Sequence, residues 1–490
     1  MPALRVVLPA PDPAAGPPSF ADLRRELGVV EEFSVAALAE AAAAAARPQL
    51  PELDLTPLPF LTVDPEGSRD LDQALHLERA DGGYRVRYAI ADVAAFVQPG
   101  GALDAEVRRR GETLYAPDVR VPLHPPVLGE DAASLLPEQV RPAVVWDLLL
   151  DAAGELTSVD VRRARVRSVR RLSYVEVQAA VEAGTDDEQL LLLREVGQLR
   201  QQVARGRGAV DLPSLEQEVE IGAGGALVLT LRAPLPAEGW NAQVSLLTGA
   251  AAARVMLEGG IGLLRTMPPP EPEDVASLRR SALALGLSWP EGAGYGEVVS
   301  ALDPHDPPAA ALLVLAARLL RGAGYTALDG AAPELSTHSA VGGPYAHATA
   351  PLRRLADRYV LQTCVALVAG EPVPGDVRAA LPELPAVMAA ADRAAKALER
   401  AGVDLAEALV LAPRVGERFP AWVVETGPKH GVVQLRDPAV RARCESPDLP
   451  LGQAVQVELA TADPASRTVL FRLVPDRGAA DGAVPGRLLP

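Results

Sequence analysis

The chain contains few of the residues that build disulfide and zinc sites. Among its 490 residues are two cysteines, Cys364 and Cys444, and six histidines. The cysteines are far apart, and the histidines never occur at the paired spacing of metal ligands. The sequence therefore supports neither a disulfide framework nor a zinc site, and it fits a protein of the reducing cytoplasm.

Positive charge is also scarce, and nearly all of it is arginine. The formal net charge is −17, and lysine occurs only at Lys396 and Lys429. This balance argues against a protein that coats nucleic acid indiscriminately, because such proteins neutralise many phosphates with a broad basic surface. A local phosphate track remains compatible with it, since arginine grips phosphate oxygens in pairs. A genome rich in Ala, Arg, Pro and Gly codons explains the same composition, so composition alone identifies no ligand.

Long apolar runs are missing as well. Prolines stand where an N-terminal signal peptide would carry its apolar core, and we find no apolar stretch long enough to cross a bilayer. Hydrophobic residues still make up 49% of the chain, which is ample for a sizeable core. We therefore expect a soluble protein of two or three domains without membrane contact.

Local patterns divide the chain into four segments. Residues 1–50 are predicted to form a small helical head, in which Ser34 caps an alanine-rich helix. Residues 51–411 mix strand-like and helical segments, which predicts an α+β domain with helices around β-sheets. Residues 412–476 contain five short strands between Gly, Pro and Asp turns, which predicts an OB-fold barrel. Residues 477–490 are rich in Gly and Pro and are predicted to be disordered.

The role of the helical head stays open between two interpretations. One is a helix-turn-helix or winged-helix element, and the other is a helical cap that only packs on the large domain. The segment holds few bases beyond Arg24, Arg25 and Arg47, so its charge does not decide between them.

The most informative stretch is TVDPEGSRDLDQALHL, residues 62–77. It places Asp64, Asp70 and Asp72 on a strand-loop-strand, so that their carboxylates can converge. Mg²⁺ prefers oxygen ligands of this kind, and two such ions about 4 Å apart activate a water and stabilise the leaving oxygen of a phosphodiester. On spacing alone, however, a solvated turn or a calcium site is the more common explanation of an acidic loop.

The context of these aspartates resembles the ribonuclease II (RNB) family. The family signature is a threonine or isoleucine, an aspartate, a loop and then Arg-Asp-Leu-Asp-Asp-Ala. This chain has Thr62-Val63-Asp64 and then Arg69-Asp70-Leu71-Asp72-Gln73-Ala74. Residues 88–144 look like the family's core block, with its Arg-Gly-x-x-x-Tyr-x-Pro element at 110–117 and its Ser-Leu-Leu-Pro turn at 134–137. Two further blocks match at 171–177 and 345–358, so the resemblance covers residues 58–370.

The resemblance implies a magnesium-dependent exoribonuclease, with Mn²⁺ as a substitute ion. Such an enzyme digests single-stranded RNA processively from the 3′ end to 5′-nucleoside monophosphates. It assigns Asp64, Asp70, Asp72 and the residue at position 73 to the metal centre. Arg353, acting with Asp70 and Asp72 in catalysis, would oppose the charge of the scissile phosphate.

The same resemblance assigns RNA contacts to four residues outside the acidic run. Tyr115 and Tyr174 match aromatic positions that clamp bases, and stacking suits a sequence-tolerant enzyme. Gln243 aligns with a glutamate that binds the terminal ribose, and Arg354 neighbours the phosphate-binding arginine. Outside this motif context, half-buried packing is the ordinary role of a tyrosine.

Four positions depart from the family pattern. Gln73 stands where the family has a fourth aspartate, and a neutral amide is a poorer metal ligand; Glu66 is a nearby substitute. Gln243 replaces the glutamate, Ala350 a serine and Leu355 a tyrosine. The alternative function is therefore an RNB-related RNA-binding protein with weak or no catalysis. In either case we expect single-stranded RNA as the partner, a monomer, and no dinucleotide cofactor, since Gly292-Ala-Gly294-Tyr-Gly296 lacks the dinucleotide-binding spacing.

Overall fold

The computed structural model describes residues 19–213, 215–221 and 227–475. The segment 477–490, predicted to be disordered, lies outside the described residues. In the described ranges, no helix is both long enough and apolar enough to span a membrane.

Twelve α-helices are found in the part of the chain that the structure describes. They are α1 (Phe20–Glu26), α2 (Val35–Ala45), α3 (Ala102–Arg110), α4 (Tyr174–Glu182), α5 (Glu188–Gly206), α6 (Pro236–Gly259), α7 (Pro272–Ala284), α8 (Tyr295–Ser300), α9 (Pro307–Ala317), α10 (Leu355–Val368), α11 (Gly375–Ala380) and α12 (Leu384–Leu411).

In the described ranges, the strands form two closed barrels and three two-stranded sheets. They are β1 (Phe60–Val63), β2 (Gln73–Ala80), β3 (Gly83–Ala91), β4 (Leu114–Tyr115), β5 (Arg120–Val121), β6 (Val140–Asp151), β7 (Leu156–Leu172), β8 (Glu216–Ile221), β9 (Leu227–Arg232), β10 (Ile261–Thr266), β11 (Gly324–Asp329), β12 (Arg418–Glu425), β13 (Gly431–Leu435), β14 (Arg441–Glu445), β15 (Ala454–Asp463) and β16 (Thr468–Leu473).

The central domain is built on a five-stranded barrel with the order β1-β2-β3-β6-β7. All neighbours are antiparallel except β1 and β7, which run parallel and close the barrel. Its strands carry large apolar and aromatic side chains, such as the cross-strand pair Tyr88 and Trp146, which are 1% and 0% exposed. Helices α5, α6 and α10 pack around this barrel. The predicted α+β class is therefore confirmed.

The acidic run forms the connection between β1 and β2. Asp64 follows the end of β1, where its backbone N–H donates to the carbonyl of Leu172 at the end of β7. Asp72 immediately precedes β2. Both ends of the loop are thus anchored to the barrel, and the aspartates lie at one rim of it.

The predicted C-terminal barrel is also confirmed. Its five strands close in the order β12-β13-β14-β16-β15, as in an OB-type barrel. The apolar residues that alternate along the strands fill its interior, with Phe419 and Phe471 in an edge-to-face contact at a ring-centroid distance of 6.0 Å. Helix α12 packs against this barrel.

The two helices of the head pack on different parts of the molecule. Phe20 and Leu23 of α1 belong to the apolar cluster of α12 and the C-terminal barrel. Ala37 and Ala41 of α2 belong to the core of the central domain. Ser34 caps α2, as predicted, by accepting from the N–H of Ala37. Residues 1–18 of the predicted head lie outside the described residues, and both interpretations of its role stay predictions.

Candidate active site

Asp72 is the most deeply buried of the three aspartates. It is 1% exposed, and both of its oxygens accept hydrogen bonds. Oδ1 accepts from the backbone N–H of Leu352 at 2.7 Å, and Oδ2 accepts from Nε of Arg353 at 2.7 Å. Burial raises the pKa of this carboxyl to about 7, against the opposing charge of Arg353.

Arg353 uses only part of its guanidinium to hold Asp72. The bond to Asp72 is made by Nε, and the side chain is still 41% exposed. The two terminal amino groups therefore remain for another anion. A guanidinium that is positioned by a buried carboxylate and open on its other side is a suitable phosphate contact.

The turn that carries Arg353 is held from behind by Asp357. This fully buried carboxylate accepts from the N–H of Ala350 at 2.8 Å and from Nε and Nη2 of Arg354 at 2.6 and 2.8 Å. Arg354, which the resemblance assigned to RNA, thus forms a two-point ion pair inside the turn. Arg354 makes no hydrogen bond to the three aspartates of the acidic run.

Asp70 is paired with Arg120 on the facing hairpin, and Arg120 also binds Glu130. On this hairpin Tyr115 lies directly across from Arg120. The Tyr115 side chain is 37% exposed. Partial burial raises the pKa of its hydroxyl, on which the charges of Arg353 and Asp70 also act. The ring consequently stands beside the carboxylates with a surface open to a base.

Asp64 differs from the other two aspartates because one of its oxygens has no partner. Oδ2 is buried and accepts no hydrogen bond from any described residue. Burial raises the pKa of Asp64 to about 7. A buried carboxylate oxygen without a donor is costly unless a cation approaches it.

The donor atoms suit a hard divalent cation, although they are not assembled into a finished site. Carboxylate oxygens are the preferred ligands of Mg²⁺, and Oδ2 of Asp64 is available. In the described ranges, however, no three acidic, histidine or cysteine side chains already form a metal-binding group. Asp70 and Asp72 are instead paired with Arg120 and Arg353.

Gln73 faces the same centre but is engaged in hydrogen bonds. Its Nε2 donates to the carbonyl of Thr349 at 2.6 Å, and its Oε1 accepts from the hydroxyl of Tyr88 at 2.6 Å. Glu66, the proposed substitute for the missing carboxylate, is exposed on the loop. Neither residue pairs with an aspartate here.

Tyr174 is the first residue of α4, and the charge of Asp64 acts on its hydroxyl. Its hydroxyl accepts from Nδ2 of Asn241 at 3.4 Å. Burial raises the pKa of Tyr174 to about 12, and the negative charge of Asp64 adds to the shift. The residue therefore lines the same centre as a partly buried ring.

Gln243 is not brought to this cluster. In an α-helix, a separation of two residues turns a side chain by about 200°. Asn241 and Ser245 take the face of α6 toward Tyr174 and Tyr88. Gln243 lies on another face, where it lines a cavity of about 1070 Å³ between α5 and α6. This orientation does not bring Gln243 to the aspartates, and its assignment to the terminal ribose stays a prediction.

Several residues that build the site received no role from the sequence. Ser134, fully buried, accepts from the N–H of Leu71 at 2.9 Å and donates to the carbonyl of Arg69 at 2.6 Å, so it shapes the acidic loop. Asp357 holds Arg354, and Arg120 pairs with Asp70. All three residues lie within the blocks that resemble the RNB family, and this resemblance is the sequence signal that could have found them. Tyr88 also lies in a matching block, but its pairing with Gln73 had no signal.

Comparison with known proteins decides the family. The RNB domain model matches residues 52–370, and the model of the RNase II-type exonuclease C-terminal S1 domain matches residues 417–474. The chain belongs to the RNB family. The RNB match contains all of the site residues named above, and the S1 match coincides with the C-terminal barrel.

Named relatives of this RNB protein are ribonucleases. It is 30% identical over 323 residues to the exosome complex exonuclease RRP44 homolog A of Arabidopsis thaliana and 28% identical over 322 residues to ribonuclease R of Escherichia coli. These matches cover 63% and 62% of this chain but only 34% and 39% of the relatives. The chain thus matches well under half the length of these relatives.

Solved structures confirm the RNB fold. Mycoplasma genitalium RNase R, in complex with ribose-methylated single-stranded RNA, superposes with a TM-score of 0.82 at 20% identity, covering 93% of this chain and 77% of that one. Yeast Ssd1, described as a pseudonuclease, superposes with a TM-score of 0.66 at 19% identity, covering 85% of this chain and 52% of that one. At these identities the likeness establishes the fold alone.

Proposed function

We propose that this RNB protein is a magnesium-dependent 3′-to-5′ exoribonuclease that hydrolyses single-stranded RNA processively to 5′-nucleoside monophosphates. The observation that carries the proposal is the convergence of Asp64, Asp70 and Asp72 with Arg353 at one rim of the RNB barrel. The ribonuclease R complex with single-stranded RNA supports the substrate class by analogy.

The three aspartates would hold the metal, with Mn²⁺ as a substitute for Mg²⁺. The unpartnered Oδ2 of Asp64 is the available ligand atom in this arrangement. A bound Mg²⁺ supplies Lewis-acid stabilisation of phosphate charge and lowers the pKa of a water. Asp70 and Asp72 would share their charge between such an ion and their partners Arg120 and Arg353.

The surrounding residues position the RNA and oppose its charge. The Arg353 side chain is 41% exposed and holds Asp72 through Nε, so its terminal amino groups would meet the non-bridging oxygens of the scissile phosphate, where charge develops during phosphoryl transfer. The half-exposed ring of Tyr115 stacks on a base near the 3′ end, and Tyr174 borders the terminal position. Stacking and phosphate contacts read no sequence, which suits a processive enzyme.

The proposal also covers the cellular location and the oligomeric state of the protein. The scarcity of cysteine points to the cytoplasm. We propose that it acts there as a monomer.

A position-labelled substrate tests this function directly. The purified protein is incubated with a single-stranded oligoribonucleotide that carries its label at the 5′ or the 3′ end, with Mg²⁺ or with EDTA. We expect 3′-labelled RNA to release labelled mononucleotide at once, while 5′-labelled RNA shortens progressively, and EDTA stops both. Internal cleavage, shortening from the 5′ end, or hydrolysis in EDTA would refute the proposal.

An RNA-binding protein with weak or no catalysis is the second candidate. It is favoured by the neutralisation of Asp70 and Asp72 by arginines, by the amide at Gln73 and by the likeness to a pseudonuclease. RNA binding without magnesium-dependent release of mononucleotide in the same assay would establish this candidate instead.

A further inference from the structure

A chain of hydrogen bonds joins four elements through Gln73. Gln73 begins β2, and the Tyr88 hydroxyl on β3 lies 2.6 Å from its Oε1 and 2.9 Å from Oγ of Ser245 on α6. Nε2 of Gln73 lies 2.6 Å from the carbonyl oxygen of Thr349. Tyr88 is 1% exposed and Thr349 is 6% exposed. The amide is therefore clamped on both sides inside the protein.

The direction of each hydrogen bond follows from the chemistry of the groups. The Thr349 carbonyl only accepts, so the amide NH₂ of Gln73 must face it. Oε1 then faces Tyr88, whose hydroxyl donates to it while its own oxygen accepts from Ser245. A carboxylate at position 73 would set a negative oxygen against the Thr349 carbonyl, and both groups are acceptors.

The clamped carbonyl belongs to the turn that serves Asp72. Thr349 is followed within four residues by Leu352 and Arg353, which supply the N–H and Nε bonds to the two oxygens of Asp72. Displacement of Thr349 would therefore move the donors that orient Asp72 and the arginine that faces the phosphate. Small misplacements of such groups are costly for catalysis.

We propose that Gln73 is a positioning residue, locked by Tyr88 onto the Thr349 carbonyl, and that the metal centre is completed by Asp64, Asp70 and Asp72 without it. This inference rests on the proposed function for its catalytic readout. An amide is required at position 73 because one end must donate to the Thr349 carbonyl and the other must accept from the Tyr88 hydroxyl.

Gln73→Glu is the decisive variant, since it restores a carboxylate with the same number of atoms. Mn²⁺ bound per chain is counted by electron paramagnetic resonance, and kcat and KM for RNA are measured in Mg²⁺. We expect the number of bound Mn²⁺ ions to stay the same and their binding to become no tighter. We also expect kcat to fall about tenfold or more at nearly constant KM, because the new carboxylate and the Thr349 carbonyl are both acceptors and would face each other inside the protein. A higher Mn²⁺ count, tighter binding or a higher kcat would overturn the inference.

Tyr88→Phe and Tyr84→Phe provide a matched comparison on strand β3. Tyr84 is also buried, and its hydroxyl bonds to Glu195 away from the aspartates. Tyr88→Phe removes the hydrogen bonds to Gln73 and Ser245, whereas Tyr84→Phe removes the one to Glu195. Both variants should therefore melt at a lower temperature than wild type, Tyr88→Phe by the larger amount. Only Tyr88→Phe should lower kcat, by about tenfold, with KM unchanged. Equal kcat values for the two variants would show that Tyr88 has a merely structural role and would overturn the inference.

The wild-type protein separates this inference from the proposed function. If wild type releases no mononucleotide, the proposed function fails, whereas the Mn²⁺ count of Gln73→Glu still decides whether position 73 is a ligand. An added ion, or tighter binding, in that variant overturns the inference whatever the activity, and an unchanged count with unchanged affinity supports it.

Discussion

Arg353 and Asp72 are joined by a 2.7 Å hydrogen bond between Nε and Oδ2, although 281 residues separate them along the chain. Asp72 is 1% exposed, whereas the Arg353 side chain is 41% exposed. The buried partner fixes the position of the open one. This relationship links the acidic loop to the arginine turn and underlies the expectations that follow.

Arg353→Lys should lower kcat by about 100-fold, since a loss of this size follows removal of one positioned donor to a developing charge. Lysine keeps the charge but loses the planar fork that bonds Asp72 with Nε and leaves two amino groups outward. Arg354→Lys is the neighbouring control, because Arg354 pairs with Asp357 inside the turn. It should lower the melting temperature more and kcat less than Arg353→Lys. The reverse order in steady-state kinetics and thermal unfolding would contradict these assignments.

Asp64→Asn should stabilise the metal-free protein at pH 8. Burial raises the pKa of Asp64 to about 7, so the carboxylate is ionised at pH 8 at a cost in stability that the amide avoids. Without metal, we expect the melting temperature of the variant to be about 2 to 4 °C higher than that of wild type. Mg²⁺ should raise the melting temperature of the variant much less than that of wild type.

The matched control for this variant is Asp147→Asn. Asp147 forms a two-point ion pair with Arg85 on the outside of the barrel. It should lose stability and keep the full effect of Mg²⁺. An Asp64→Asn protein that is still stabilised by Mg²⁺ to the wild-type extent would exclude Asp64 as a ligand.

Tyr115→Ala should weaken RNA binding about 5- to 150-fold, which corresponds to about 1–3 kcal/mol for one stacked base. The half-exposed ring contributes little to folding, so the melting temperature should hardly change. Tyr115→Phe keeps the π-face and should bind RNA nearly as well as wild type. Fluorescence anisotropy with a labelled oligonucleotide measures both, and a phenylalanine variant as weak as the alanine variant would show that stacking is not the contact.

Glu407→Gln should change the pH dependence of stability without touching the site. Glu407 on α12 accepts from Nε2 of Gln217 and from the N–H of Arg441, and it has Asp404 and the Arg441 charge as neighbours. Burial raises its pKa to about 7. A raised carboxyl pKa gives stability that is present below the ordinary value near 4.5 and is lost as pH rises toward 7.

The melting temperatures of wild type and Glu407→Gln should therefore be similar at pH 5, with the variant the more stable by pH 8. Thermal unfolding from pH 5 to pH 8 measures this difference. A constant difference across this range would mean that Glu407 is not the titrating group.

The sequence predicts those features that depend on residues close together along the chain, and it predicts poorly those that join remote segments. The α+β class and the C-terminal barrel follow from local periodicity and turn residues, and the strand-loop-strand at Asp64 to Asp72 follows from its own neighbours. The pairing of Asp72 with Arg353 joins remote segments, so only the family resemblance brought these residues together. The lock between Tyr88 and Gln73 depends on strand register and buried hydrogen bonds, which no spacing reveals.

Gln243 shows that a match along the chain does not determine which way a helix residue faces. Alignment within an uninterrupted helix gives no turn or proline to fix the register, and a shift of one residue turns a side chain by about 100°. The structure shows that Asn241 and Ser245 have the facing positions. The orientation of a helix residue toward a site therefore needs the packing of the whole helix.

The most direct test of the central claim compares wild type with Asp72→Asn on one 5′-labelled single-stranded RNA. Stepwise shortening in Mg²⁺ is followed by gel electrophoresis, and binding of the same RNA is measured in EDTA. A metal-site carboxylate acts in hydrolysis and contributes little to the affinity for RNA. We expect shortening from the 3′ end by wild type, none by Asp72→Asn, and RNA affinities within about threefold of each other. Shortening by the variant at the wild-type rate, or equal loss of binding and hydrolysis, would contradict the account.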